Sequence, residues 1–429
     1  MPLPTTRLFL AAVLLLTVCQ AAFFAQTPPD AVLYSFGQSQ LFDGKFGKLA
    51  AAQQAASAAL MRCGKPGLVA DGRFGQGTAN AIKLLATCPA LKPRLPMGSP
   101  AFQGAITAAL WRLLLPASPA PTAEQRAQTL VLTYEATDYD SLEWNFCQSR
   151  GPDGTRWSPD DPTKPCFSND PNSYITWGPR GATAGGGKEV QWIIWRAERQ
   201  DRALVNAAFG AEATAARKFI TLDNGSARQF LCEIFANNAR KALWTNAFAA
   251  FGKASSVRRL YDRHYLSLVS DGAKMKNLYR LYELLGVSPT EIDYGFFLDR
   301  ATHSSPPAPD AAVVAKIRQW LATNQVPPTP ANTRRAFASS FPTSNQTADR
   351  LGRDVAFFLD AVTEAGLTPA ERAAWQNRNR LSAANVGLSD ERPAPALSVT
   401  TDNERPNFNG TYTATQCSAS VLNPQRPPR

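Results

Sequence analysis

The clearest helix signal in this chain lies at residues 122–135, TAEQRAQTLVLTYE. Thr122 and Gln125 stand three residues apart, the spacing of a capping box, in which each side chain satisfies a backbone N–H at the start of a helix. Apolar residues then recur at helical spacing, which predicts an amphipathic helix. Glu135 is therefore expected near the end of that helix, beside its apolar stripe.

A second motif, DPNSYITWG at residues 170–178, follows an insert that is bracketed by Cys147 and Cys166. Its alternating residues and the glycines behind it predict a short hairpin over residues 173–183. Glycoside hydrolases use two carboxyl groups: one protonates the leaving oxygen, and the other activates water or stabilises the developing oxocarbenium ion. Glu135 and Asp170 are the candidates for these two roles.

Together the two motifs resemble the phage-type lysozymes (muramidases), whose site combines a helix-terminal Glu with a motif of the form D-x-x-G-Y-x-T-x-G. The chain keeps the family's spacing from Asp170 to Thr176 and carries Ser173 where the family has its first Gly. The resemblance implies Glu135 as general acid, Asp170 as the carboxylate that orients or activates water, and Thr176 as its hydrogen-bonding partner. It also implies a helical domain with a small β-hairpin lobe.

The chain departs from the family in two respects. The insert lengthens the interval between Glu135 and Asp170, and the His that follows the family's hairpin glycines is absent. Glu189, in the first turn of a helix expected over residues 188–199, is therefore kept as the alternative second carboxylate. Trp144 and Trp157 are candidates for one wall of a glycan cleft. The substrate-binding candidates are Tyr174, Trp177, Arg180 and Glu189.

Upstream, the sequence DGRFGQGT at residues 71–78 lies between helices expected at 49–61 and 79–85. Glycines permit the tight turn, the aromatic residue fills a small core, and the threonine is expected to cap the second helix. The arrangement is similar to the peptidoglycan-binding module of wall hydrolases, although a generic helical hairpin would give the same pattern. The resemblance implies a wall-binding turn made of Asp71, Gly72, Phe74, Gly75 and Thr78.

The first residues predict export. Arg7 precedes the apolar run of residues 8–18, and small residues follow at Ala21, Ala22 and Ala25, which is the pattern of a signal peptide over residues 1–25. The run is short for a membrane span, and no other segment approaches twenty apolar residues. An uncleaved anchor is the alternative. We expect a periplasmic or secreted protein of a bacterium, with no further transmembrane span.

The amino-acid composition limits the classes of binding partner. The 429 residues carry a formal net charge of +11, with a pI near 9.4, which favours an anionic partner such as a cell wall. The basic residues are scattered, and no zinc-finger or helix-turn-helix signature occurs, so nucleic acid is not expected. Peptidoglycan glycan strands are the expected partner. The oligomeric state is left open.

Cysteine usage agrees with export, because one of the seven cysteines falls in the signal peptide and an even number remains. Local pairing is one of fifteen formal connectivities. No CxxC occurs and the only histidines are His264 and His303, so we expect neither a metal nor a cofactor. The candidate disulfides are Cys63–Cys88, Cys147–Cys166 and Cys232–Cys417.

The expected fold is mainly α, with a small β-hairpin lobe. A helical module over residues 26–115 is followed by a linker at 116–121 and a lysozyme-like catalytic domain at 122–303. Residues 304–429 are expected to form a helical extension with a mobile tail, either as an accessory domain or packed on the helical lobe. Capping boxes are expected at residues 288–291 and 368–371.

The leading hypothesis is an exported hydrolase of the β-1,4 bonds between N-acetylmuramic acid and N-acetylglucosamine. It requires Glu135 to hold a proton near neutral pH, so we expect apolar neighbours such as Tyr134 to raise its pKa. The alternatives are a wall-binding scaffold without turnover and a chitosanase-like hydrolase. A lytic transglycosylase that uses Glu135 alone also stays open.

Overall fold

The computed structural model describes residues 30–43, 46–135, 138–147, 168, 172–267, 270–342, 347–359, 361–378, 380–398 and 404–422. The expected signal peptide and the end of the expected tail lie outside these residues. The fold is mainly α with small antiparallel sheets, as expected. Within the described residues, no helix has the length and apolar character that a membrane crossing needs.

Two short sheets and three helices form the N-terminal part. Strand β1 pairs with β4, and β2 pairs with β3, both antiparallel. The two predicted helices are confirmed with small shifts in their ends, and a disulfide joins Cys63 to Cys88 as predicted. The elements are β1 Val32–Tyr34, β2 Leu41–Phe42, α1 Leu49–Arg62, β3 Arg73–Phe74, α2 Gln76–Ala86, β4 Ile106–Thr107 and α3 Ala108–Leu114.

The turn between α1 and α2 is organised by the buried amide of Gln53. Its Oε1 accepts from the Gly72 N–H at 2.8 Å, and its Nε2 donates to the Thr78 hydroxyl at 3.0 Å. Phe74 is fully buried, as predicted. The prediction that Thr78 caps α2 is wrong: Gly75 has the extended backbone of the cap position, and Thr78 lies inside the helix.

The capping box before α4 is confirmed by two hydrogen bonds. The Thr122 N–H donates to Gln125 Oε1 at 3.0 Å, and the Gln125 N–H donates to Thr122 Oγ1 at 3.3 Å. Helix α4 then spans Ala123–Glu135. The module before it is tied to it by Asp43, a buried carboxylate that accepts from the Thr129 hydroxyl at 2.7 Å and from the Leu49 N–H at the start of α1.

The predicted hairpin is confirmed and belongs to a three-stranded antiparallel sheet in the order β5–β6–β7. Its strands are β5 Leu142–Trp144, β6 Ser173–Trp177 and β7 Ala182–Gly185. Strand β5 was not predicted. At the hairpin turn Gly178 has φ of 76°, and a Cβ there would meet the ring of Tyr261 at 2.7 Å, so both conformation and space favour glycine.

Helices make up most of the remaining described chain. The box expected at 288–291 is displaced: Thr290 is the cap of α12 and pairs with Asp293, while the box at Thr368 and Glu371 is confirmed. The helices are α5 Glu189–Gln200, α6 Arg202–Phe209, α7 Ala213–Ile220, α8 Asn224–Ala236, α9 Asn238–Lys253, α10 Ser255–Tyr265, α11 Asp271–Leu285, α12 Glu291–His303, α13 Ala311–Thr323, α14 Pro330–Ser340, α15 Thr347–Ala356, α16 Pro369–Arg378 and α17 Ala419–Leu422.

Buried apolar side chains form two cores. The larger core combines the N-terminal elements with α4, α11, α12 and the helices up to α16. The smaller core combines β5–β7 with α5–α10, and the disulfide Cys232–Cys417 joins the C-terminal tail to it, as predicted. The larger core therefore contains residues from both sides of the expected linker at 116–121 and of the expected boundary at 303. Residues 304–398 pack on the helical lobe, and their role as an accessory domain stays a prediction.

Candidate functional site

The site is built where two helices end side by side. Near their starts Arg126 of α4 pairs with Glu291 of α12 at 3.4 Å, and at their ends Glu135 of α4 pairs with His303 of α12. The helices are therefore parallel, and their C-terminal dipole ends meet. The partial negative charge at these helix ends stabilises nearby cations. Arg378 Nη2 accordingly donates to the carbonyl of Tyr134 at 2.6 Å.

Glu135 opens a chain of buried ion pairs that runs into the larger core. Arg353 Nη2 donates to Glu135 Oε1 at 2.7 Å, and Arg353 Nε donates to Asp299 Oδ1 at 2.9 Å. Asp299 also pairs with Arg350, whose Nε donates to Asp354 Oδ1 at 3.0 Å. Arg353 is thus fixed between two carboxylates, and it presents a fixed positive charge to Glu135.

The electrostatics of Glu135 differ from the expectation. Burial raises the pKa of its carboxyl, but the hydrogen bond from His303 and the charge of Arg353 outweigh burial, so the pKa lies below its ordinary value. The prediction of a raised pKa is wrong for this arrangement of side chains. The reason is that long-range contacts supply a hydrogen bond from His303 and the positive charge of Arg353 where the sequence indicated only apolar neighbours.

A cavity of about 800 Å³ lies against this pair of helix ends. His303 and Arg353, the two partners of Glu135, both contribute to its wall, and cationic side chains predominate among its polar groups. The lining residues are Arg300, His303, Ser304, Ser305, Pro306, Pro307, Lys316, Phe337, Ser340, Phe341, Pro342, Asp349, Arg350 and Arg353.

The hydroxyl of Thr176 on β6 has polar neighbours. Its Oγ1 accepts from Asn145 Nδ2 at 2.7 Å and lies 3.3 Å from the hydroxyl of Ser173. Asp170, its expected partner, lies outside the described residues, as do Trp157 and Cys166. Cys147 is disulfide-bonded. The pairing of Asp170 with Thr176, and its separation from Glu135, stay predictions.

Of the aromatic candidates, Trp177 is fully buried, and its Nε1 donates to the carbonyl of Tyr139 at 2.7 Å. Because its ring packs against Phe248 and Phe251 of α9, it is a core residue and the prediction that it lines a cleft is wrong. Tyr174 is also buried, although its hydroxyl donates to Asn224 Oδ1 at 3.1 Å.

Two other candidates are held by polar contacts. Arg180, in the hairpin turn, is 8% exposed and lies 3.9 Å from Asp271, which accepts from the Thr302 hydroxyl at 3.2 Å. The hairpin turn is thereby connected to the residue before His303. Glu189 accepts from the Thr183 hydroxyl at 2.6 Å and so ties β7 to α5.

A second cavity, of about 460 Å³, joins the predicted wall-binding turn to α4. Asp71 and Arg73 of the turn line it together with Thr133 of α4, and the acids Asp138 and Asp140 complete its polar wall. The wall-binding turn and the end of α4 therefore border one continuous space. Within the described part of the chain, no group of three metal-binding side chains occurs.

Sequence reasoning missed His303, Arg353 and Asp299, which set the charge around Glu135. A partial signal existed, since His303 is one of two histidines and the region after residue 330 is rich in arginine. Comparisons with protein-family models, curated proteins and solved structures find no match to this chain.

Proposed function

We propose that this protein is an exported peptidoglycan hydrolase that cleaves β-1,4 glycosidic bonds by acid/base catalysis at Glu135. One observation carries the proposal: a carboxylate that ends helix α4 contacts two residues, His303 and Arg353, in the wall of a cavity of about 800 Å³. Glu135 is not itself a lining residue but lies directly behind His303 and Arg353, and a space of this size beside a helix-terminal carboxylate is suited to a glycan.

The proposal requires Glu135 to gain a proton when the substrate binds. Burial alone raises its pKa, and the contacts with His303 and Arg353 hold it down. Arg353 is fixed by Asp299, whereas the side chain of His303 is 27% exposed. A glycan that displaces His303 would remove its hydrogen bond to the carboxylate and exclude water, so the pKa of Glu135 would rise towards the value that a general acid needs.

The second carboxyl group is proposed to be Asp170, with Thr176 holding the attacking water. A separation of roughly 6.5–9.5 Å between the two carboxyl groups would leave space for that water and predict inversion. Glu189 is the alternative, but its bond to Thr183 gives it a structural role at the start of α5. Arg180 would support the hairpin beside α12.

An anionic polymer suits the charge of the site. Arg300, Lys316, Arg350 and Arg353 line the cavity with His303. The three arginines are paired with carboxylates inside the protein, and the exposed Lys316 leaves the cavity surface positive, which disfavours a cationic polymer such as chitosan. The turn at residues 71–74, which shares a cavity with α4, is proposed to hold the same glycan strand further along. Export would bring the protein to its substrate.

A second candidate is a wall-binding protein without turnover. The observation that favours it is the lowered pKa of Glu135, since an ionised carboxylate cannot donate a proton to a leaving oxygen. In this case His303 and Arg353 would stay in place when the glycan binds. The two candidates predict the same pelleting on insoluble wall but different soluble products.

Digestion of purified peptidoglycan separates the candidates, with wild type, Glu135→Gln and Glu283→Gln compared and products identified by mass. Glu283 is a matched control because its side chain is 68% exposed on α11 and, within the part of the chain that the structure describes, its ion pair is with a neighbour three residues away, Arg280. We expect reducing-end muropeptides from wild type and from Glu283→Gln, and a loss of at least about 100-fold in Glu135→Gln.

Other results reassign the function. Anhydro-ended products would indicate a lytic transglycosylase. Pelleting on wall without any product from wild type would establish the binding protein, and full activity of a correctly folded Glu135→Gln variant would overturn the assignment of the acid.

A further inference from the structure

We propose that the cavity beside Glu135 is a subsite for a carboxylate carried by the substrate, with Lys316 and Arg350 as its cationic anchors. The inference rests on the proposed function and adds to it a requirement for an acidic substituent. Lys316 belongs to α13 and Arg350 to α15, so two helices of the C-terminal extension would take part in recognition.

The charged side chains that line the cavity differ in how far their charges are neutralised by ion pairs within the protein. Arg300 and Arg353 are each held by carboxylates behind the wall, Asp354 at 2.6 Å and Asp299 at 2.9 Å respectively. Asp349, the acid among the lining residues, pairs with Arg378 at 2.9 Å. These charges are therefore largely neutralised by the protein itself.

Lys316 and Arg350 differ from them. Lys316 is exposed and forms no ion pair with an acid among the described residues; its Nζ lies 4.8 Å from the centre of the Phe341 ring. Arg350 is buried and uses Nε and Nη2 on Asp354 and Asp299, but its Nη1, shielded from solvent, has no hydrogen-bond partner within the described structure. Lys316 thus brings an exposed positive charge to the cavity, and Arg350 brings a buried, unused donor just behind its wall, which suits a carboxylate that enters and displaces the cover of that donor.

The rest of the wall fits the body of such a ligand. Pro306, Pro307, Phe337 and Phe341 offer apolar surface, and Ser304, Ser305 and Ser340 offer hydroxyl groups. Sugars and short peptides both combine apolar faces with hydrogen-bonding groups. In peptidoglycan a carboxylate occurs on the lactyl group of the muramic sugar and on the stem peptide, and the experiment distinguishes these two sources.

Calorimetric titration tests the subsite in the Glu135→Gln background, so that no ligand is cleaved. The probes are a tetrasaccharide of alternating N-acetylglucosamine and N-acetylmuramic acid, its analogue with the carboxyl groups reduced to alcohols, and the free stem tetrapeptide. The added variants are Lys316→Gln and, as a control on the exposed face of α2, Lys83→Gln.

We expect Lys316→Gln to weaken binding of the acidic tetrasaccharide by about threefold, as an exposed ion pair contributes modestly. Lys83→Gln should leave binding unchanged. The reduced analogue should bind more weakly than the acidic tetrasaccharide, and its affinity should be the same with and without the Lys316→Gln substitution. If instead the stem tetrapeptide alone depends on Lys316, the subsite stands and its carboxylate comes from the peptide.

Equal binding of the acidic and reduced tetrasaccharides, together with stem-tetrapeptide binding that does not depend on Lys316, would overturn the inference, as would an unchanged affinity in Lys316→Gln for every probe or the absence of binding by all three. These outcomes are independent of the digestion experiment. Charge-dependent binding without wall digestion by wild type would leave the subsite intact and remove the hydrolase, whereas digestion without charge-dependent binding would do the reverse.

Discussion

Two aspartates, the fully buried Asp299 of the larger core and the partly exposed Asp262 beside the smaller core, have pKa values shifted in opposite directions. Asp299, in the larger core, has a pKa well below its ordinary value: burial raises it, but the charges of Arg350 and Arg353 outweigh burial. Asp262, beside the smaller core, has a pKa raised to about 6, because burial outweighs the charge of Arg180 and the hydrogen bond from Tyr139. Burial is the largest single influence on the pKa of both carboxyl groups and acts in the same direction on each. The cationic partners therefore decide the direction of the net shift.

The same contrast extends to the neighbouring groups. The larger core contains the paired arginines Arg300, Arg334 and Arg353, each within 2.7 Å of a carboxylate oxygen. The smaller core contains His264, whose two ring nitrogens have no hydrogen-bond partner among the described residues, and burial lowers its pKa to about 3. In the larger core, ion pairs thus keep buried groups ionised beside the proposed site. At the smaller core, Asp262 and His264 lack sufficient compensation for burial, so their neutral forms are favoured.

The largest effect should follow from removing a paired charge. Asp299→Asn leaves Arg350 and Arg353 without their shared carboxylate, and we expect a loss of about 3–5 kcal/mol in the free energy of unfolding, measured with denaturant. Glu283→Gln, which breaks an exposed pair, should change it by less than about 1 kcal/mol. Similar losses in the two variants would mean that burial of the Asp299 ion pairs has no effect on their contribution to stability.

His264 should make the protein sensitive to acid. Its folded pKa of about 3 lies below the unfolded value of about 6.5, so its contribution to stability is complete above pH 6.5 and is lost as the pH falls towards 3. The full loss is about 5 kcal/mol. In His264→Phe the free energy of unfolding should depend less on pH over this range. If urea titrations at pH 4–7 give the same pH dependence for this variant and wild type, the prediction is refuted.

Asp262 should act with the opposite sign. Its folded pKa of about 6 lies above the unfolded value, so its contribution is complete below about pH 4 and is lost as the pH rises through 6. The loss is about 2–3 kcal/mol. Asp262→Asn, which stays neutral, should therefore gain stability relative to wild type at pH 7 but not at pH 4. A gain that is equal at both pH values would exclude titration of Asp262 as its cause.

The smallest effect should come from the local signal at the start of α4. Thr122→Ala removes one half of the capping box, and we expect a loss of about 1 kcal/mol. Thr323→Ala, at the exposed end of α13, is the control and should lie within about 0.5 kcal/mol of wild type. A null result for Thr122 would mean that packing on α12 alone fixes the helix.

Local sequence patterns predicted much of the fold. The ends of α1, α4 and α5 and the hairpin of β6 and β7 agree with the structure within one or two residues, and two disulfides pair as predicted. Two caps were misplaced, at Thr78 and at residues 288–291, because several polar residues near each helix start offered alternative caps. Strand β5 was missed because its three residues pair with a strand far along the chain.

The sequence by itself determined where helices begin and end, because capping and periodic burial act over a few residues. It also marked Glu135 as a carboxylate at a helix end. Only the tertiary structure decided its charge, since His303 is 168 residues away and Arg353 is 218 residues away. Ion pairs depend on distances of a few ångströms between side chains, and no local pattern encodes distances between remote parts of a chain.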